Sequence, residues 1–469
     1  MATVAPDPAL FLQLRPLVRT TNLGDPARRP LIVHPAGDPA WAGLSAQLMR
    51  ALAARGVTAE CTTDLALIPE RHIPLPDSCR ARPLIVLGAL GTNRVLQPHY
   101  ANFLCATDAA YPGDTGWELR TLVDPYHTGA NLILCGGSRP AGVAQAVARL
   151  GAEISTCPDG VVLPWLMQVQ LDPALAAQFT AWPHTPLAAE AVKIPVTRGY
   201  FFFADLIRTV SMYTQMWWLT GDRRYAEVAL THYRALNDHV KTSYGDWHYL
   251  AERFLRALPL LAGGGWLTET ELKRTYDLLL GTALASQNDW WRMRDGHPPF
   301  GHRHQGKGTY EFLVLARCLR DTAGPSPALR ALCDRWITEC TAFLDGLVRA
   351  EIDDQDDEST FNNIAQLFRY ALGEERHEFF INGHARRAAA RALALHDNMG
   401  SGAGQGGYGE GLSMYYQQEA ATQIAGSAFY YGDGELKWIF QHLPRLARAQ
   451  RFMPFQFTPT FVHQFEVGD

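Results

Sequence analysis

The first third of the chain is punctuated by short apolar runs. Pro30-Leu31-Ile32-Val33, Pro83-Leu84-Ile85-Val86-Leu87-Gly88 and Asn131-Leu132-Ile133-Leu134-Cys135-Gly136-Gly137 are each bounded by Gly or Pro. That is the pattern of strands buried on both faces. Helical periodicity lies between and after them. Leu44, Leu48 and Leu52 recur within 41–55, and Val143, Val147 and Leu150 within 140–150. Alternating strands and helices predict a mostly parallel sheet. The alternating stretch 116–124 reads as an additional strand. Residues 1–175 are therefore expected to form a small α/β domain.

Residues 176–199 are rich in Pro and Ala and read as a linker. From Tyr200 the apolar period lengthens to that of amphipathic helices. Helices are predicted at about 201–220, 222–241, 246–262, 267–287, 304–321, 327–350, 358–372, 375–396, 410–431 and 434–450. Their links, such as Thr220-Gly221-Asp222 and Gly432-Asp433-Gly434, are short and polar, as antiparallel hairpins need. Five hairpins without a strict repeat either stack as an open solenoid or close, completely or incompletely, into an (α/α)n toroid. Residues 451–469 read as an extended, aromatic tail.

Composition narrows the function. A chain of 469 residues has room for two or three domains. Lys and Arg total 42 against 47 Asp and Glu, a net charge of −5, which argues against a nucleic-acid partner. No uncharged apolar run is long enough for a bilayer span, so no membrane partner is expected. Oligomeric state leaves no signature. The eight Cys form no CxxC, and Cys333 and Cys340 sit two turns apart on one predicted helix, too far to bridge. Reduced thiols are the expectation. The N-terminus has neither a charged leader nor a clear apolar h-region. As written, the sequence reads as cytoplasmic, or as periplasmic or secreted if a leader was removed.

Four polar clusters carry candidate chemistry. The densest is His302-Arg303-His304-Gln305-Gly306-Lys307-Gly308-Thr309-Tyr310-Glu311, opening a predicted helix, with Trp290, Trp291 and Phe300 on its approach. Arg303 and Tyr310 are seven residues apart, two helical turns on one face. His302 and His304 share a face only in extended backbone, and no third ligand completes a zinc pattern. The second cluster is Tyr244-Gly245-Asp246-Trp247-His248-Tyr249. Here His248 could act as a base and Trp247 offers a stacking face. The third is Asp357-Glu358 through Asn362-Asn363, whose amides suit a carboxylate. The acidic run before it reads as a solvated lead-in to a helix N-terminus. It lacks the spacing of an EF-hand loop, so a divalent cation is a minor alternative to no cofactor. The fourth runs from Gly400 to Gly411 and on to Tyr416, with Tyr408, Glu410 and Tyr415. Each cluster also has a structural reading as helix caps, turns or packing.

In the first half, Gly88-Ala89-Leu90-Gly91 lacks a phosphate-loop spacing. Gly136-Gly137-Ser138 reads more simply as a tight turn than as an anion site. This domain is expected to scaffold or flank the substrate.

Three stretches carry a family likeness. The step Tyr213-Thr-Gln-Met-Trp-Trp-Leu-Thr-Gly-Asp222-Arg-Arg-Tyr225 resembles the helix–TGD–helix step of (α/α) toroid carbohydrate enzymes. Gly406-Gly-Tyr408-Gly-Glu410-Gly-Leu-Ser-Met-Tyr415-Tyr416 resembles the Gly-aromatic-x-Glu-Gly-x-x-Tyr element of heparinase II/III-like polysaccharide lyases, and alginate and glucuronan lyases are related in fold. The first half, through Tyr111-Pro-Gly, Gly116-Trp-Glu-Leu-Arg-Thr and 131–143, resembles the α/β domain that precedes the catalytic domain of α-glucuronidases. The resemblance implies a lyase acting by β-elimination on a uronate-containing oligo- or polysaccharide. It implies Tyr310 as the proton-transfer residue, with His304 or His248 as partner and Arg303 near the uronate. Trp247, Asn362, Asn363, Glu410, Tyr415, Tyr408, His302 and Gln305 would bind substrate. Two alternatives stay open. One is a glycoside hydrolase on the same helices, using a pair among Asp246, Asp289, Asp357 and Glu410. The other is a non-catalytic carbohydrate-binding solenoid.

Overall fold

The computed structural model describes residues 14–158, 160–181, 200–239, 251–286, 303–322, 324, 326–349, 367–394 and 424–442. In the first half, strands β1 (Thr21–Asn22), β2 (Leu31–His34), β3 (Glu60–Thr63), β4 (Leu84–Gly88), β5 (Trp117–Leu122), β6 (Leu132–Gly136), β7 (Val162–Leu163) and β8 (Met167–Gln170) alternate with helices. The longest are α1 (Pro39–Ala53) and α5 (Pro140–Thr156). Shorter ones are α2 (Asp64–Leu67), α3 (Asp77–Arg80), α4 (Gln97–Ala101) and α6 (Pro173–Ala181). The main sheet runs β3-β2-β4-β6-β5-β8. Pairings β2–β3, β2–β4 and β4–β6 are parallel, while β5 pairs antiparallel with β6 and β8. β1 and β7 form a separate antiparallel ribbon.

Each apolar strand sends alternate side chains to opposite faces. Ile32, Ile85, Leu87, Ile133 and Cys135 pack under Trp41, Leu48 and Leu52 of α1 and Val143, Val147 and Leu150 of α5. Leu31, Val33, Leu84, Val86, Leu132 and Leu134 join a second core that continues without a break into the helical half. Both sheet faces are thus buried, which is why these strands read as continuous apolar runs.

The helical half contains α7 (Tyr200–Thr220), α8 (Arg223–His239), α9 (Ala251–Gly263), α10 (Glu269–Ser286) and α11 (Arg303–Arg317), the last followed by a π-helical turn, Cys318–Thr322. It continues with α12 (Pro327–Arg349), a helical run 367–373 (α13), α14 (Glu378–Ile381), α15 (His384–Ala394), a run 424–431 (α16) and α17 (Gly434–His442). The expected hairpins α7–α8 and α11–α12 pack as pairs, and Gly221 at φ 74° makes the turn of the first. The described positions of α7, α9, α11, α13 and α16 are buried nearly throughout, whereas α8, α10, α12, α15 and α17 bury one side. α7 packs on α9, and α9 on α11, so one helix of each hairpin forms an inner layer.

All five inner helices aim their C-terminal ends at the α/β domain. Arg120 Nη2 donates to Trp218 O (2.7 Å) and the Tyr111 hydroxyl to Leu219 O (2.9 Å), at the end of α7. Arg19 Nε donates to Gly263 O of α9 (2.9 Å), and Arg15 Nη1 to Asp321 O after α11 (3.2 Å). Asn102 Nδ2 donates to Gly373 O of α13 (2.9 Å). Arg71 lies over the Phe429 ring of α16, 4.1 Å from its centroid. Terminal carbonyls lack intrahelical donors, and the C-terminal end of a helix dipole is negative. Side-chain donors from the α/β domain answer the first need at α7, α9, α11 and α13, and Arg120, Arg19 and Arg15 also answer the second.

Several elements differ from the expected ones. β3 (Glu-Cys-Thr-Thr) and β8 (Met-Gln-Val-Gln) lie at the sheet's two edges, so neither has the apolar run that marks a central strand. α6 continues across the boundary drawn at residue 175, and 182–199 lie outside the described residues. The single helix expected over 375–396 is two, α14 and α15, broken at Gly383 with φ 80°. The tail 451–469 lies outside the described residues.

Candidate functional site

α9 begins at Ala251, which places Glu252 and Arg256 one turn apart on one face. Arg256 Nε donates to Glu252 Oε1 at 2.8 Å, and its Nη2 donates to the Tyr310 hydroxyl at 2.7 Å. Arg369 of α13 donates from Nη1 to Glu252 Oε2 at 3.1 Å. One carboxylate thus bridges two guanidiniums, and one of these holds the phenol. Tyr310 is 2 % exposed, Glu252 5 %, Arg256 6 % and Arg369 6 %. A buried cation needs a partner, because desolvation of the charge is costly. The shared carboxylate of Glu252 supplies charge to both guanidiniums.

Burial pushes the Tyr310 phenol up to about 12, opposed by the charge of Arg256. The phenol is therefore protonated at neutral pH. Its oxygen accepts from Arg256, and its own proton is the one it can give away. A phenolate formed there would be held by the same guanidinium.

Of the residues expected from sequence, Tyr310 is the one whose side chain is described. Arg303, His304 and Gln305 form the first turn of α11 as backbone. His302, Trp247, His248, Asn362, Asn363, Tyr408, Glu410 and Tyr415 lie outside the described residues, as do Asp246, Asp289 and Asp357. In chain order, each polar cluster directly precedes an inner helix. Residues 244–249 lead into α9, 302–305 into α11, 362–363 into α13 and 408–416 into α16.

Glu252, Arg256 and Arg369 were not anticipated. Their signal is a charge inside an otherwise apolar helical stretch: Glu252 and Arg256 flanking Phe254-Leu255, and Arg369 between Leu367-Phe368 and Tyr370.

The glycine turns of the first half are packed shut. A Cβ on Gly137 would lie 2.7 Å from Val143 N, and one on Gly142 2.2 Å from Gly116 O. Turn and helix start are pressed together there, as the tight-turn reading expects. After β4, Asn93 Nδ2 donates to Leu87 O and Val33 O at 2.9 and 3.3 Å, closing that loop on the strand ends. Among the described residues no three His, Cys, Asp or Glu side chains converge as a metal site, and no helix is long and apolar enough to cross a membrane.

Compared with known proteins, the chain matches no family model, no curated protein and no solved structure.

Proposed function

We propose that the protein is a polysaccharide lyase that cleaves a uronate-containing polymer by β-elimination, with its site at the N-terminal side of the inner helices. The observation that supports this reading most directly is the buried Tyr310–Arg256 hydrogen bond, with Arg369 joined to the same cluster through Glu252. Elimination needs three things: a cation or amide for the uronate carboxylate, a base for the C5 proton, and an acid for the departing O4. A guanidinium suits the first. Tyr310 suits the third, since a phenol with a raised pKa keeps its proton until a leaving oxygen takes it. In this reading His248 or His304 removes the C5 proton. The C5–H and C4–O4 bonds break, C4=C5 forms, and the proton of Tyr310 passes to O4. Arg303, His302, Gln305, Trp247, Asn362, Asn363, Tyr408, Glu410 and Tyr415 would line the cleft, and closure of the hairpins into a toroid would complete it.

A second reading, hydrolysis, draws on Glu252 and Glu311, two buried carboxylates on the packed helices α9 and α11. Ultraviolet absorbance of the conjugated C4=C5 uronate separates the two. With a panel of uronate polymers, a rise that is lost in Tyr310→Phe supports the lyase. New reducing ends without that absorbance favour hydrolysis. Binding without either product leaves a carbohydrate-binding helical domain.

A further inference from the structure

Three neighbouring parallel strands begin at one end of the main sheet, and the segments leading into them bring three arginines together. Arg28 and Arg29 stand just before β2, Glu60 opens β3, and Arg82 stands two residues before β4. β2 pairs in parallel with both β3 and β4, so these positions meet at the same end of the sheet. They border an open pocket of about 550 Å³, lined by the turn 26–29, by Glu60, and by Ser78, Ala81 and Arg82. Small-molecule sites usually offer about 300–1,000 Å³.

The floor of this pocket is fixed. Arg82 donates from Nε to Arg29 O at 2.6 Å, from Nη2 to Pro30 O at 3.4 Å and from Nη1 to Glu60 Oε2 at 2.8 Å. The hydrogen bond and charge of Arg82 hold the Glu60 carboxyl below its usual range. The rim is fixed as well. Pro26 and Pro30 bracket the turn, Arg28 N donates to Asp25 O at 3.1 Å, and Ala27 N donates to Asp25 Oδ1 at 2.9 Å. Arg28 and Arg29 are therefore displayed, exposed, from a stiff piece of backbone.

The nearby acids are engaged elsewhere. Glu60 pairs with Arg82, and Glu375 pairs with Arg80 across the seam between the two halves, at 2.7 Å. Arg28 Nη1 reaches Gly129 O at 3.4 Å, and among the described residues neither Arg28 nor Arg29 forms an ion pair. The lining thus carries three guanidiniums against one carboxylate, and the two on the rim are answered by water alone.

We propose that this pocket is a second polymer-binding site, where Arg28 and Arg29 hold carboxylates of an acidic sugar chain apart from the catalytic cleft. The proposal rests on the uronate-polymer reading above. Planar guanidiniums match carboxylates with two parallel hydrogen bonds. The open side lets a long chain run through, where a closed cavity would admit only a short piece. A chain held at two places stays at high effective concentration near the cleft.

Affinity electrophoresis of the intact protein tests it, in native gels containing polygalacturonate or alginate, with dextran as the neutral polymer. Each mobility is referred to a polymer-free gel, so the charge of a variant cancels. The expected result is retardation by at least one polyuronate and none by dextran. The double variant Arg28→Gln/Arg29→Gln should raise the dissociation constant at least fivefold. Both side chains are exposed, so its thermal midpoint should match that of the parent. Arg139→Gln, after β6 at the opposite end of the sheet, should change nothing. Lack of retardation by either polyuronate, equal retardation of parent and double variant, or an equal loss in Arg139→Gln would overturn the proposal. Ultraviolet absorbance of the products, read in parallel, separates the two claims. Absorbance with retardation unchanged in the double variant overturns this pocket alone. Retardation that depends on Arg28 and Arg29, without absorbance, overturns the lyase chemistry and supports the pocket.

Discussion

The Tyr310 hydroxyl accepts a 2.7 Å hydrogen bond from Nη2 of Arg256, and burial holds the phenol at about 12. In Tyr310→Phe the guanidinium keeps Glu252 and loses the phenol oxygen. A hydrogen bond to a charged group contributes about 1.5–3 kcal/mol, so a stability loss of about that size is expected in urea titration. On the lyase reading, the rate of unsaturated-product formation should fall about 10²–10⁴-fold, the usual loss on removing a general acid.

Glu252 pairs with both Arg256 and Arg369. Glu252→Gln should therefore cost about 3–5 kcal/mol, the penalty of stranding buried charge. Adding Arg369→Gln should recover part of that loss. A double-mutant cycle in denaturant measures the coupling, and fully additive losses would show that the two side chains do not interact.

His99 and His377 are buried in the seam, and burial lowers them from 6.5 to about 3 and about 4. The unfolded chain therefore takes up protons near pH 6.5 that the folded chain refuses. Stability is unaffected by these groups above that pH and falls as the pH drops from 6.5 towards 4. For His377 alone the loss reaches about 3 kcal/mol, at about 1.4 kcal/mol per pKa unit. Unfolding free energies measured at pH 7 and pH 4.5, with His377→Gln as comparison, should show a shallower decline in the variant.

Arg120 donates to Glu118 Oε2 through Nε and Nη2 at 3.0 and 2.8 Å, and through Nη2 to the end of α7. Its guanidinium also lies 4.2 Å from the Trp218 ring centroid. Arg120→Met strands the buried Glu118 and uncaps α7, so a loss of about 3–5 kcal/mol is expected. Tryptophan fluorescence and far-UV circular dichroism should still report one shared transition, because a single core spans both halves.

The central strands and the helical hairpins were legible because burial on both faces, or on one stripe, leaves a periodic mark. The edge strands β3 and β8 were not. Their residues are exposed or half-exposed: β3 carries no apolar residue beyond Cys61, and the Met-Gln-Val-Gln alternation of β8 spans only four residues. Tyr310 was singled out by its polar neighbours in sequence. Glu252, Arg256 and Arg369 were missed because their neighbours are in space. A charge pair inside an apolar helix looks like a solvated face until a third helix, α13, supplies Arg369. The break at Gly383 was missed for a related reason: both flanking segments keep a helical period, and one residue with φ 80° interrupts them.

The capping of the inner helices by the α/β domain has a bearing on synthesis. Domains near the N-terminus fold first as a chain emerges from the ribosome. The sheet with Arg120, Tyr111, Asn102 and Arg19 is complete before α7 has been made. Each hairpin that follows can dock its carbonyl end on a waiting donor, in chain order, so the first half serves the second as an assembly jig. A helical half expressed alone would emerge with those ends open to water and nothing to set their register.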